Sequence, residues 1–304
     1  MLELFVYGIV LGSIISLGAI GITLIYGILR FGNFAHGDLM TAGAYIAFFL
    51  VSGPLAWIGV SDTTFGPLSF GWRMLIAFPI AVLAVGGIAI LLDRALYQNL
   101  RRKGAGRVTL SMAALGASFI IRMGVLIIWG ADYKFYRPGL IRRALELPGG
   151  IKIRPDQIFI LVLVAALVIS LHLFLKKSRM GKAMRATSDN MELARLSGIE
   201  IQKVIYWTWG IGGALSAAAG ILYGIDVQLH PGMGWNFLIP LFAAAILGGL
   251  GNVYGALVGG LIIGVAQQMS TAFLPPTYKP AVAFIIMIVL LLIRPQGIFG
   301  RSSR

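Results

Sequence analysis

Nine apolar stretches divide the chain, and polar or basic segments separate them. Most of the stretches hold about 20 residues, enough for a helix to cross a hydrocarbon core about 30 Å thick. We therefore predict an all-α polytopic membrane protein with about nine transmembrane segments, within a range of eight to ten. The stretches cover residues 4–29, 38–51, 72–96, 108–130, 157–175, 204–223, 237–250, 253–273 and 280–293.

Among the stretches that are short for straight membrane-spanning helices, two are candidates for half-helices or for completion by neighbouring irregular backbone. Residues 38–51 and 237–250 would each rise only about 21 Å. Each adjoins a Gly-Asn pair, at positions 32–33 before the first and 251–252 after the second. Broken helices in the two halves of a transporter are typical of a translocation path, whereas Gly-Asn pairs are also common in ordinary cytoplasmic turns. The sequence leaves both interpretations open, together with a weakly supported internal duplication.

Lysine and arginine between the stretches predict the orientation. The basic clusters within residues 94–107 and 176–195 are two crossings apart, so both fit the cytoplasmic side of the positive-inside rule. Counting crossings from these clusters places the N-terminus outside and the C-terminus inside. The segment 131–156 fits this topology poorly, because a loop counted as outside carries Lys134, Arg137, Arg142, Arg143, Lys152 and Arg154.

Composition agrees with a membrane protein and excludes other classes. The 304 residues are 58% hydrophobic and 12% charged, and we expect one transmembrane domain over residues 1–304. The net charge is +14, and the basic residues lie between the apolar stretches. Contact with anionic lipid headgroups explains this distribution better than binding to nucleic acid does. The absence of cysteine excludes a disulfide framework. Residues 1–8 lack the basic start of a cleaved signal peptide, so we expect a retained first helix.

No sequence motif indicates catalysis or metal binding. The chain contains neither G-x-x-x-x-G-K-[ST] nor H-E-x-x-H, and His36, His172 and His230 lie in distant segments. We therefore expect no enzymatic activity, no catalytic or metal site and no cofactor.

Ionisable groups within the apolar stretches are scarce. Asp38 and Asp93 lie near predicted span ends, Asp226 lies at the outer edge, and Arg122 is the clearly intramembrane charge. We interpret Arg122 as paired within the bundle or snorkelling, in preference to a substrate role. A proton- or sodium-coupled carrier usually places such groups at mid-membrane, so the energy for transport is expected to come from elsewhere.

The segment 176–203 predicts two short amphipathic helices between membrane spans. The first covers residues 180–186, and Asp189 with Glu192 forms a capping box that opens the second, which Gly198 ends. Such a pair suits either docking in a groove of a partner protein or lying on the lipid surface. The apolar residues of the pair are Ala183, Met184, Leu193, Ala194 and Leu196, and its charged residues are Lys182, Arg185, Glu192 and Arg195.

Small residues recur at helical spacing late in the chain. Such ladders let helices approach closely, and we favour packing within the subunit over a dimer interface. The ladders are Gly212, Ser216, Gly220 and Gly224, then Gly251, Gly255 and Gly259, with Gly260 and Gly264 beside them.

Three segments resemble permease subunits of bacterial branched-chain amino acid ABC importers. Residues 181–199 read GKAMRATSDNMELARLSGI, and residues 27–48 read GILRFGNFAHGDLMTAGAYIAF. Residues 244–264 read AAILGGLGNVYGALVGGLIIG. The first two are specific as a pair, whereas the Gly-rich third is weak alone. With the hydropathy profile, the similarity covers essentially the whole chain.

The resemblance implies a division of labour. A periplasmic solute-binding protein delivers leucine, isoleucine or valine, two permease subunits form the pathway, and two ABC ATPase subunits drive it. The second permease is homologous or identical, and the membrane is the bacterial or archaeal cytoplasmic (inner) membrane. Within segment 176–203, the resemblance assigns to the ATPase-coupling surface Gly181, Lys182, Arg185, Ala186, Asp189, Glu192, Leu193 and Gly198.

The same resemblance suggests pathway and docking residues. Arg137, Arg142 and Arg143 suit acidic residues on a binding protein, which gives the basic outer segment a function. The early signature holds Asn33, His36, Gly37 and Asp38, and Asn252 and Gln267 are further pathway candidates. Relatives in the broad family carry urea, short amides or sugars, so these remain alternatives. A secondary transporter or channel, or a scaffold, explains the paired helices less well.

Overall fold

The computed structural model describes residues 1–137, 144–147, 151–294 and 296–300. Its α-helices are α1 (Leu2–Leu29), α2 (His36–Ser52), α3 (Pro54–Trp57), α4 (Trp72–Leu92), α5 (Gln98–Arg102), α6 (Arg107–Trp129), α7 (Pro155–Lys177), α8 (Arg179–Asp189), α9 (Met191–Leu196), α10 (Ile201–Asp226), α11 (Met233–Gly248), α12 (Val253–Ser270) and α13 (Lys279–Ile293). A π-helical turn, Asp93–Tyr97, joins α4 to α5, and a 3₁₀ turn, Pro276–Tyr278, precedes α13. The strands β1 (Leu145–Leu147) and β2 (Ile151–Ile153) form an antiparallel hairpin.

Eight helical segments in the described ranges are long and apolar enough to cross a membrane, and α11 is a shorter apolar helix. These nine segments confirm the predicted all-α polytopic fold. The eight long segments are Leu2–Leu29, His36–Trp57, Trp72–Arg102, Arg107–Trp129, Pro155–Lys177, Ile201–Asp226, Val253–Ser270 and Pro276–Ile293.

The two stretches predicted to be short differ in the structure. The first is completed by α3, which follows α2 with only Gly53 between them, so this segment reaches 22 residues. The second, α11, remains short at 16 residues and begins four positions earlier than the apolar pattern predicts. The hydropathy profile misses the start of this helix, because Gly234 and Asn236 lie within its first turn and lower the local hydropathy.

Helix α1 is the centre of the bundle. Over an apolar stretch of 18 residues in α1, 89% of the residues are buried, whereas the corresponding share in the last span is 6%. Small residues at every fourth position allow this burial, because Gly8, Gly12 and Ser16 form one face against α12. A Cβ at Gly12 would lie 2.8 Å from the Leu261 Cα atom, and the Ser16 hydroxyl donates to the Leu257 carbonyl at 2.8 Å.

The late small-residue ladders pack within the chain, as predicted. Gly264 and Gly260 face α1, while Gly255 and Gly259 face α11, each at backbone contact distance. In α10, Gly220 lies directly against the Met40 carbonyl of α2. The ladders therefore hold α1, α2, α10, α11 and α12 together as a core, and α4, α6, α7 and α13 surround it.

One end of the bundle carries α8, α9, the α5–α6 turn and the last turn of α1, and we call it the basic end. Ser188 of α8 contacts Gly27 of α1 there, and the Tyr206 hydroxyl of α10 donates to Gln98 of α5 at 3.3 Å. The nine crossings place the N-terminus at the opposite end and the last described residues at the basic end.

Candidate functional site

Helix α8 begins with a side-chain cap and a close approach to α7. The Ser178 hydroxyl accepts a hydrogen bond from the Gly181 backbone N–H at 2.8 Å. Gly181 is buried, and a Cβ there would lie 2.6 Å from the Leu175 Cα atom, so the position has no room for a side chain. The helix runs through Asp189, three residues beyond the predicted end.

The predicted capping residue of α9 is wrong by one position. Asn190, and not Asp189, caps the helix, because its side chain accepts from the Leu193 N–H at 3.0 Å while Asp189 still belongs to α8. The predicted end at Gly198 is confirmed, with a φ of +82°. The Ile199 N–H donates to the Ala194 carbonyl at 3.1 Å, completing a Schellman motif that suits glycine.

The apolar residues of α8 and α9 divide into two groups. Met184 and Ala194 are buried against the bundle, whereas Leu193 and Leu196 are 61% and 85% exposed. The inward pair holds the helices in place, and the outward pair leaves an apolar surface with charged neighbours. Of the predicted ATPase-coupling residues, Gly181 is buried and the exposed ones are Lys182, Arg185, Ala186, Asp189, Glu192, Leu193 and Gly198.

Two hydrogen bonds attach the end of α8 to the last turn of α1 and to Arg30, the residue that follows it. The Ser188 hydroxyl donates to the Gly27 carbonyl at 3.1 Å, and the Arg30 Nη2 atom donates to the Ser188 carbonyl at 3.0 Å. Arg30 has a φ of +56°, the left-handed region, which non-glycine residues rarely adopt. A strained residue therefore begins segment 30–35 at its contact with α8.

Segment 30–35 is irregular backbone inside the bundle. The His36 Nε2 atom lies 3.0 Å from the Gly18 carbonyl, and Gly18 precedes the end of α1 by 11 residues. Helix α2 therefore starts about 16 Å from the basic end. Asn33 is 1% exposed, and its Oδ1 atom accepts from the Ala35 N–H at 3.2 Å. The first Gly-Asn pair thus precedes an interior break.

The second Gly-Asn pair forms a turn at the basic end. Gly251 has a φ of +91°, and the Asn252 Oδ1 atom accepts from the backbone N–H groups of Tyr254 and Gly255, both at 3.1 Å. The Asn252 amide also donates to the Phe299 carbonyl at 3.1 Å. Asn252 is therefore the N-cap of α12, and only the first pair adjoins interior irregular backbone.

The first turns of α2 and α11 meet inside the bundle. Gly37 and Gly234 approach so closely that a Cβ on either would lie against the backbone carbonyl of the other. The Thr41 hydroxyl accepts from the Gly234 N–H at 3.0 Å and so satisfies one amide at the start of α11. Two helix N-termini therefore lie side by side in the core.

An ion pair joins α2 to α6. The Arg122 Nε and Nη2 atoms lie 3.0 and 3.1 Å from Asp38 Oδ1 and Oδ2, and the Ser118 hydroxyl donates to the same carboxylate. The Asp38 side chain is fully buried, while that of Arg122 is 14% exposed. The guanidinium also lies over the rings of Trp235, at 4.3 Å, and Phe119, at 5.4 Å.

This ion pair confirms the interpretation that Arg122 is paired within the bundle. Its partner was not predicted from the sequence, because the apolar pattern places Asp38 at a span end. Asp38 does lie in the first turn of α2. Because α2 starts in the interior of the bundle, however, this carboxylate lies beside an intramembrane arginine. The pair could have been predicted from the presence of opposite charges, Asp38 and Arg122, in two different apolar stretches, since charged groups within a membrane tend to pair.

Two of the remaining predicted residues, Gln267 and Arg137, make contacts within the chain. The Gln267 amide donates to the Lys279 carbonyl at 2.8 Å and joins α12 to α13. The Arg137 Nε atom lies 3.3 Å from Asp62 Oδ2, so this arginine is already paired in the chain. Arg142 and Arg143 lie outside the described residues.

Comparison with known proteins places the chain in one family. A family model described as branched-chain amino acid transport system / permease component matches residues 4–291. The high-affinity branched-chain amino acid transport system permease protein BraD of Pseudomonas aeruginosa is 35% identical, covering 99% of this chain and 96% of its own length. LivH of Escherichia coli K12 is 33% identical over 97% and 94%, and the probable permease LivH of Methanocaldococcus jannaschii is 30% identical over 96% and 90%. The chain therefore belongs to the family of branched-chain amino acid transport system permease components.

Proposed function

We propose that this chain forms the translocation pathway for branched-chain amino acids in an ABC importer. The observation that carries the proposal is similarity to BraD and LivH over nearly the whole of each chain. The fold agrees with this role, because the described residues hold nine apolar segments, and the central five of them pack together through small residues. The 304 residues act as one transmembrane domain, with segment 176–203 as its coupling loop.

Separate ABC ATPase subunits drive the transport cycle in this proposal. The sequence contains no phosphate-binding loop of its own, so the energy requires a partner. The exposed apolar surface of Leu193 and Leu196 supports docking, since an amphipathic helix with two large exposed leucines fits a groove in another protein. Lys182, Arg185 and Glu192 surround this surface, whereas buried Gly181 sets the distance between α8 and α7.

The interior break is the proposed receiver of the ATPase movement. Helix α8 holds Arg30 through Ser188, and Arg30 begins the segment that leads to α2. A displacement of α8 would thus act on Asn33, His36, Gly37 and Asp38, which we propose as the moving part of the pathway. Asn252 and Gln267, near the two ends of α12, are further pathway candidates in this proposal, although their hydrogen bonds go to Tyr254 and Lys279.

A second permease and a periplasmic solute-binding protein complete the importer in this proposal. The basic segment after α6 is the proposed docking site for the binding protein, with Arg142 and Arg143 as its main contacts and Arg137 as a lesser one. Arg137 is lesser because Asp62 already neutralises it. The protein then resides in the cytoplasmic (inner) membrane, with the basic end inside, the N-terminus outside and the C-terminus inside, in keeping with the positive-inside rule.

Purification of the tagged chain from its native membrane tests this assignment. We expect stoichiometric recovery of an ABC ATPase and a second permease in mild detergent, identified by mass spectrometry. Recovery of the chain as a homo-oligomer without an ATPase, at normal abundance, would contradict the proposal and favour a secondary transporter or channel.

A further inference from the structure

The Arg122 guanidinium has one edge that the protein does not use. Its Nε atom donates to Asp38 Oδ1, and its Nη2 atom donates to Asp38 Oδ2 and to the Ser118 hydroxyl at 3.1 Å. Within the described part of the chain, the Nη1 atom has no hydrogen-bond partner. Arginine carries five N–H donors in a fixed fork, so the two of Nη1 remain for a ligand.

The surroundings of this free edge are aromatic and partly open. The rings of Phe119 and Trp235 lie 6.3 Å apart, and the guanidinium contacts both of them. Phe119 is 47% exposed and Trp235 is 39% exposed. Asn236, next to Trp235 on α11, is exposed as well. An unpaired donor edge and two half-exposed rings therefore share one flank of the bundle, between α6 and α11.

Contact of this flank with lipid tails would be costly. Charged groups within membrane spans face the protein interior or a water-filled path, because hydrocarbon cannot solvate an N–H donor. The exposed part of Arg122, at 14% of its side chain, and the exposed amide of Asn236 both fall under this rule. The flank between α6 and α11 therefore faces water or a second protein.

We propose that Arg122 contacts the α-carboxylate of the transported amino acid, and that Trp235 and Phe119 pack against its branched side chain. This inference rests on the proposed import of branched-chain amino acids and adds the residues that touch the solute. A carboxylate at Nη1 lies on the side of the guanidinium opposite Asp38. Asp38 and Ser118 act as positioning residues, since they hold the fork in one orientation.

The charges of this site suit a transient contact. Asp38 already neutralises Arg122, so a passing carboxylate meets a local dipole and not a full positive charge. A pathway must attract its solute without retaining it, and a guanidinium that is already paired with a carboxylate meets both conditions. We expect weak binding, detectable at high solute concentration.

Saturation-transfer NMR on the purified ATPase–permease complex, without binding protein, tests the inference. The probes are L-leucine and L-leucinol, which share the side chain and the ammonium group, but leucinol has a hydroxyl in place of the carboxylate. We expect leucinol to bind about tenfold more weakly, since it loses a charge-assisted hydrogen bond. The D38N/R122Q double variant should bind the two probes equally, and Trp235→Leu, which keeps the ion pair, should weaken both.

The matched control is the D93N/R101Q variant. Arg101 and Asp93 form a second bidentate pair, at 2.7 and 3.1 Å, with a fully buried carboxylate near the basic end. This control should retain the preference for leucine. Equal binding of the probes to the unmodified complex, or an unchanged preference in D38N/R122Q, would overturn the inference. ATP-driven leucine uptake by the unmodified complex tests the proposed function separately, so the two failures are distinguishable.

Discussion

Asp38 on α2 and Arg122 on α6 form a bidentate ion pair inside the membrane-spanning bundle, with N–O distances of 3.0 and 3.1 Å. Helix α6 lies at the periphery, because only 22% of its apolar stretch of 18 residues is buried. Its main neighbour is α2. The pair therefore joins a peripheral helix to the helix that begins at the interior break. A movement of α2 would carry α6 with it.

Removal of one partner of this pair should destabilise the fold. Arg122→Leu leaves a buried, unpaired carboxylate, which costs about 3–5 kcal/mol. We expect a clear fall in the thermal midpoint of the purified protein in detergent. D38N/R122Q, which replaces both charges with amides, should recover most of the loss. An unchanged midpoint in Arg122→Leu would show that the pair contributes little to the fold.

The close approach of α2 and α11 should not tolerate a side chain. Gly37→Ala places a Cβ against the Gly234 carbonyl, and such overpacking costs about 1–3 kcal/mol. We expect less folded protein after size-exclusion chromatography. Gly116→Ala on α6 is the control, because nothing lies within 4 Å of its Cβ position, and it should match the unmodified protein. Equal yields from the two variants would contradict the packing described above.

The exposed leucines of α9 should determine ATPase binding. Leu196→Ser removes an 85% exposed apolar side chain, so the permease should remain folded while co-purified ATPase falls about tenfold. Glu192→Lys should act in the same direction because it reverses a charge beside this surface. Met184→Ser is the contrasting variant, since Met184 is buried and its loss should lower permease abundance. Undiminished ATPase recovery with Leu196→Ser would exclude α9 as the docking surface.

The link between α8 and the interior break should transmit the movement. Arg30→Ala removes the hydrogen bond to the Ser188 carbonyl. A loss of about 1 kcal/mol of coupling free energy corresponds to about a fivefold change in the coupled equilibrium. We expect unchanged permease abundance and ATPase recovery, but about fivefold less leucine imported per ATP hydrolysed.

Lys203→Ala is the control for the Arg30 variant. Lys203 is a basic residue of the same end, and its exposed ion pair with Glu200 contributes little to stability. Its transport ratio should equal that of the unmodified complex. The proposed link would be wrong if Arg30→Ala imported as much leucine per ATP as this control does.

Asn252 should behave as a helix cap. Asn252→Ala removes the acceptor for two amides of α12 and should cost about 1 kcal/mol of stability. Asn252→Asp keeps a capping oxygen and should lose less, as measured by thermal unfolding in detergent. Transport by the assembled complex should be unaffected by either change. A transport defect at normal stability would instead indicate that Asn252 lines the pathway.

Hydropathy was sufficient to predict the class and number of the crossings. The apolar length needed to span a membrane is fixed by the bilayer, so the sequence carries this information directly. It was less informative for α11, because Gly234 and Asn236 are not apolar. Such residues are tolerated there by contact with Gly37 and Thr41, and hydropathy does not record that contact.

The candidate site was predictable only where the signal is local. Gly198 ends α9 as expected, because a positive φ after a helix strongly favours glycine. The cap at Asn190 was misassigned to Asp189, since both residue types suit an N-cap and neighbouring positions compete. The Asp38–Arg122 pair depends on the interior start of α2, which is set by tertiary contacts.

Reconstitution of the purified complex into proteoliposomes measures the central claim most directly. Uptake of radiolabelled leucine would be followed with the solute-binding protein outside and ATP inside the vesicles. We predict accumulation that requires both ATP and the binding protein, and that excess isoleucine or valine suppresses but xylose or urea does not. Leucine uptake at the same rate without ATP, or no accumulation by a complex that hydrolyses ATP in response to the loaded binding protein, would contradict it.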